Sequence, residues 1–172
     1  MKYFKFFLLI CFLGTLSSCG GDDDICESGE GTPRLRIAFK NADGKEMTVD
    51  SLYVTADYGT GALVDLGKTA NNNFRLIPLR VDESPYTDLY FKTRIKGPQS
   101  KVRVSYTTKS AYVSPGCGIK KTYENVSSEL LTPTPVTKLE NGLNQIENEN
   151  KTNLFLFFSI ISLLVWSQEK KK

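Results

Sequence analysis

The chain has 172 residues, 22 Lys and Arg against 19 Asp and Glu, four cysteines and no histidine. Without histidine the commonest general base, the Ser/His and Cys/His nucleophile pairs and the commonest zinc ligand are all missing, so the sequence points to no enzyme, no cofactor and no metal. The surplus positive charge is terminal: residues 19–150 carry 16 Lys and Arg against 18 Asp and Glu, a near-neutral body with no field to gather nucleic acid.

The first element in the chain is a targeting segment. Lys2 and Lys5 precede an unbroken apolar run over residues 6–13, and mostly small residues lead to Cys19. That order is the n-region, h-region and cleavage site of a secretory signal peptide, too short for a permanent membrane helix, so residues 1–18 are expected to be removed. Leu16-Ser17-Ser18-Cys19 is also the pattern of lipoprotein processing: an apolar residue, two small ones, then a cysteine that takes the lipid. Cys19 is therefore the expected lipidation site. Two or three acyl chains make a stable anchor where one binds only marginally. Asp22, Asp23 and Asp24 follow after two glycines; the cluster resembles the surface-export signals of Bacteroidota-type lipoproteins, a solvated spacer being the alternative.

Residues 19–33 are rich in Gly, Asp and Glu and read as a tether. With Cys11 in the signal peptide and Cys19 lipidated, Cys26 and Cys117 remain. In an oxidising compartment such a pair reads as one disulfide, two buried thiols being the alternative. Closing a loop of about 90 residues would stabilise the fold by roughly 4 to 5 kcal/mol in the chain-entropy model.

From residue 34 the apolar period becomes two. RLRIAFK alternates Leu35, Ile37 and Phe39 against Arg34, Arg36 and Lys40, and SLYVTAD places Leu52, Val54 and Ala56 on one face. ALVDL follows, then FRLIPLRV, in which Pro78 predicts an edge or a bulge. TDLYFKTRIK sets Leu89, Phe91, Thr93 and Ile95 on one side, GPQS turns, and KVRVSYTT offers Val102, Val104 and Tyr106. AYVS, a tight PGCG turn, IKKTYENV and SSELL complete the set. Seven to nine short strands predict an all-β fold over residues 34–131, an antiparallel β-sandwich, with a small barrel as the alternative.

Beyond residue 131 the composition turns to Pro, Asn and Glu, and residues 132–150 read as a disordered linker. The apolar run over residues 154–166 then falls short of the ~20 residues a spanning helix needs. With a lysine before it and VWSQ after it, residues 151–172 read as a second signal-like segment, from a neighbouring reading frame joined to this one, or as a short membrane-seeking tail.

Two sets of side chains stand out in the body. Lys92, Arg94, Lys96, Lys101 and Arg103 alternate with the apolar positions of the main hairpin, so five cations are expected on one outer face, able to hold an anion, a sulfated glycan or an acidic partner, or simply to solubilise the sheet. Tyr106, Tyr112 and Tyr123 read as core or interface rings. Asp82, Glu83 and Glu124 have no assignable partner, and no catalytic residue is expected.

The stretches DDICESGEGTPRLRIAF and AYVSPGCGIKKTYENVSSEL resemble a family of small Bacteroidota-type outer-membrane lipoproteins with no assigned activity. The resemblance spans about residues 22–130, and the chain after 131 departs from the family's ending. It implies a surface or periplasmic β-domain, often beside an outer-membrane protein. The expected function is that of a non-enzymatic envelope lipoprotein, anchored in the outer membrane by its N-terminal lipid, that binds or assists an outer-membrane protein. The alternative is a surface glycan- or anion-binding module.

Overall fold

The computed structural model describes residues 31–158, all of them in strands, turns and loops. Nine strands form two sheets: β1 (Leu35–Lys40), β2 (Leu52–Asp57), β3 (Leu63–Thr69), β4 (Phe74–Ile77), β5 (Tyr86–Lys92), β6 (Ser100–Ser114), β7 (Gly118–Thr132), β8 (Val136–Asn141) and β9 (Leu154–Phe158). One sheet has four strands in the order β4-β1-β9-β8, the other five in the order β3-β2-β5-β6-β7. Neighbours are antiparallel except β1 and β9, which run parallel. Among the described residues the two sheets pack as a sandwich and no barrel closes.

The period-two faces meet in a single core. Leu35, Ile37 and Phe39 of β1 and Leu154, Leu156 and Phe158 of β9 face Leu52, Val54, Leu89, Phe91, Val102 and Val104 of the opposite sheet. Phe39 and Phe158 meet edge to face at 5.9 Å between ring centroids, a favoured aromatic geometry. As its proline required, β4 lies at a sheet edge and stops at Ile77, one residue before Pro78.

The sequence-based boundary at residue 131 does not exist. Residues 132–150 are not a loose linker: β8 closes one edge of the four-stranded sheet, and the segment after it is stitched down by side chains. Asn153 donates to the carbonyls of Leu143 and Gln145 and accepts from the Arg36 amide. Glu149 takes a two-point ion pair from Arg34 at 2.7 and 2.8 Å, and that bond holds its carboxyl below the usual range. Ile146, the isolated apolar residue of the segment, is fully buried and bridges Tyr123 in both directions.

Residues 154–158 are likewise no tail. They form β9, an inner strand of the four-stranded sheet, paired with β1 on one side and β8 on the other. An inner strand covered on both faces loses its alternation and reads as a continuous apolar run, the same local pattern as a signal h-region. Phe155 and Phe157 point away from the core, and the ammonium of Lys40 lies 3.9 Å above the Phe155 ring while that of Lys138 lies 5.1 Å above Phe157. Both are cation–π contacts, with the ammonium over the ring face. Residues 159–172 lie outside the described residues, as do residues 1–30, and with them the signal peptide, Cys19, the three aspartates and Cys26.

Two further expectations shift. The four short segments expected over residues 101–131 merge into two 15-residue strands, β6 and β7, joined at residues 115–117. In contrast, β5 ends at Lys92, so residues 93–99 form a loop, and Ile95, expected inside, is 72% exposed at its crest. Gly97 donates back to the Arg94 carbonyl there, a turn that interrupts the ladder.

Candidate functional site

The five-stranded sheet turns Tyr86, Asp88, Tyr90 and Lys92 of β5 outward, because Thr87, Leu89 and Phe91 occupy the core. Lys101 and Arg103 of β6 face the same way, in register with Tyr90 and Asp88. Tyr53 of β2 stands beside Lys92.

This arrangement redraws the expected cation row. Three of its members share the outer face, and Arg94 and Lys96 belong to the loop at its end. Two of the three are committed to a carboxylate that sequence reasoning did not single out. Asp88, only 4% exposed, takes Arg103 Nε at 2.7 Å and Nη2 at 2.9 Å on its two oxygens, and Lys101 Nζ at 2.9 Å. The Arg103 bond, aided by Lys101, holds the Asp88 carboxyl below the ordinary aspartate range against the opposing effect of burial. The same bond raises Arg103. Arg103 also lies 4.0 Å over the Tyr86 ring and Lys101 5.5 Å from that of Tyr90. The outer face is thus a bound network of cation, carboxylate and tyrosine. Lys92, Arg94 and Lys96 form no ion pair among the described residues.

Asp88 was legible in one respect only. Its place in TDLYFK, on the opposite parity to Leu89 and Phe91, put it outward, but its cover of two cations depends on β6 register. Asp82 and Glu124 also acquire partners, Arg80 at 2.6 Å and Lys109 at 3.4 Å.

The second notable feature is the far end of the β6–β7 hairpin. β5 pairs with β6 only as far as Ser105, and the edge of β7 is covered at its base by Asn144 and Ile146. Beyond that base, residues 109–122 form a two-stranded arm. The tyrosines divide accordingly. Tyr106 and Tyr123 are buried at the base with ring centroids 5.0 Å apart, and the Tyr106 hydroxyl shares a 2.6 Å hydrogen bond with Thr87. Tyr123 has its hydroxyl buried with no partner among the described residues, and burial pushes its pKa up. Tyr112, read with them as a core or interface ring, is not in the core: it is 69% exposed on the arm, directly opposite Ile119 at 67%.

Thr32, near the start of the described chain, accepts a 2.9 Å hydrogen bond on its Oγ1 from the backbone amide of Lys121. The start of the described chain therefore meets the arm at Lys121, four positions from Cys117. Comparisons with protein-family models, with curated proteins and with solved structures returned no match.

Proposed function

We propose that the chain is a non-enzymatic, lipid-anchored binding domain of the outer membrane that engages an outer-membrane protein through the end of the sandwich formed by residues 93–99. The observation that supports this most is the Lys121 to Thr32 hydrogen bond. Lys121 is paired with Ser110, ten residues along β6 from Ser100, which is about 30 Å at the rise of a strand. A domain tethered there holds the 93–99 loop away from the lipid. That loop carries Arg94, Ile95 and Lys96, an exposed apolar crest between two cations, and Lys92 lies beside it. This is the composition of a small protein-docking knob.

In this reading Cys19 carries the lipid and Cys26 is bonded to Cys117, which ties the tether to the turn of the arm. The resemblance to Bacteroidota-type outer-membrane lipoproteins belongs to the same proposal. Intact mass of the mature protein reads both features, as acyl chains on Cys19 and as two hydrogens gained on reduction.

A photo-crosslinking residue at Ile95, in intact envelopes, is expected to capture one outer-membrane protein, with capture abolished in Arg94→Glu/Lys96→Glu. Capture unaffected by that charge reversal overturns the loop as the docking site. A second reading, a glycan- or anion-binding module, draws on Tyr53, Tyr86 and Tyr90 on the outer face, but there Lys101 and Arg103 are already paired with Asp88. Salt-sensitive signal on a glycan array, with no crosslinked protein, would favour it.

A further inference from the structure

We propose that Arg94 is the anchor of the 93–99 loop and that the partner it takes is an acidic protein segment, which sets a carboxylate on the Arg94 guanidinium and an apolar side chain against Ile95. The proposal rests on the reading of this loop as the docking site and names the chemistry of what docks there.

The arginines of the fold carry the argument. Arg34, Arg80 and Arg103 each give Nε and Nη2 to one carboxylate, those of Glu149, Asp82 and Asp88 respectively. Arg75 donates to Thr69 and to the Leu66 carbonyl, and Arg36 lies 3.7 Å over the Phe74 ring. Arg94 differs from all of them. Its Nε is buried without a hydrogen-bond partner, and it forms no ion pair among the described residues. A guanidinium stays charged and is all donor, so a buried N–H left without an acceptor is uncompensated. In a native fold such a group calls for an acceptor from outside. The edge in question, Nε with Nη2, is the one that grips a carboxylate at two points three times elsewhere in this fold.

The loop holds that edge in place. Its ends are fixed by Phe91 and Ser100, buried cross-strand partners, and Gly97 donates to the Arg94 carbonyl at 3.1 Å. A Cβ on Gly97 would stand 3.1 Å from the Arg94 Cβ, so the turn closes more tightly than a side chain there would normally allow. A turn fixed before contact lowers the ordering cost of binding.

Two features favour an acidic protein segment over a free anion. Lys92 and Lys96 also form no ion pair among the described residues, so the charge around Arg94 is uncompensated. Ile95, 72% exposed, stands between Arg94 and Lys96 and offers an apolar contact that a small anion has no means to use. The segment that fits carries Asp or Glu beside a large apolar residue.

The test follows the Arg94 Nε–H by nuclear magnetic resonance. The chain isolated from envelopes in detergent, labelled with nitrogen-15, is titrated with the peptide Ac-Leu-Asp-Leu-Glu-Leu-NH2. The Arg94 Nε–H signal is expected to shift and its exchange with water to slow several-fold, the signals of Arg34, Arg80 and Arg103 staying in place. The amide analogue Ac-Leu-Asn-Leu-Gln-Leu-NH2 should leave it unmoved. Arg94→Lys keeps the charge but loses the fork, and should weaken the peptide about tenfold at the Ile95 amide, against about two- to threefold for Lys96→Gln. Thermal unfolding verifies that both variants fold. An equal response to the amide analogue overturns the proposal, and so does an Arg94→Lys variant that binds like the wild type. Inorganic phosphate that moves the signal at the same concentration as the peptide overturns it in favour of a phosphate-bearing partner. Capture of an outer-membrane protein at Ile95 with no peptide response at Arg94 would keep the docking loop and remove the carboxylate chemistry. A peptide response without capture would do the reverse.

Discussion

Tyr123 and Tyr112 belong to the same hairpin, eleven positions apart, yet one is sealed in the core and the other stands in solvent. At the base, β6 has β5 beside it, β7 has the 144–146 segment on its edge, and the four-stranded sheet lies across both. On the arm, among the described residues, the same two strands pair with each other, and Thr32 meets Lys121 on the β7 side. The difference teaches that residue type and alternation set which side a tyrosine takes, while burial is decided by what the other sheet brings to that side.

The largest effect is expected at the base. Tyr123→Ala should cost about 3 to 5 kcal/mol in chemical denaturation, the range for removing a large buried ring. Tyr123→Phe separates ring from hydroxyl: because the hydroxyl is buried and unpartnered, its loss should be neutral or stabilising by up to about 1 kcal/mol. A strongly destabilised Phe variant would mean that the hydroxyl is satisfied after all.

An intermediate effect belongs to the outer face beside the base. Asp88→Asn leaves Arg103 and Lys101 without their anion and should destabilise by about 1 to 3 kcal/mol. Asp88 titrates below its ordinary value in the fold. Its contribution is therefore complete above the unfolded pKa of about 4 and is lost as pH falls through the lower folded value. Urea unfolding between neutral and strongly acid pH should show the wild type converging on the Asn variant at the acid end. A gap independent of pH would sink the ion-pair explanation.

The smallest effect is expected on the arm. Tyr112→Ala should change stability by no more than about 0.5 kcal/mol. A cost as large as that of Tyr123→Ala would show the arm to be packed in solution and would erase the contrast with the base.

Much of the fold was legible locally. Period-two alternation identified β1, β2 and the inward faces of β5 and β6, and Pro78 marked an edge strand, because one-sided burial and a missing amide leave direct traces in a sequence. The cation row was half legible. Parity put Lys92, Lys101 and Arg103 outward, but the alternation was carried past Lys92, where the turn closed by Gly97 and Arg94 ends the strand. Asp88's role was hidden because its partners come from the next strand.

What the sequence by itself determined is the all-β class, the core face of each alternating strand and the cysteine-bearing turn, all consequences of neighbours a few residues apart. Only the tertiary structure decided that residues 132–158 belong to the domain. β9 pairs with β1 across more than a hundred residues, Ile37 opposite Leu154, and Asn153 and Glu149 hold an Asn- and Glu-rich segment against Arg36 and Arg34. An inner strand buried on both faces has no alternation to display, and a polar segment whose partners lie a hundred positions away has no apolar pattern at all, so each acquires its identity from the surface that covers it.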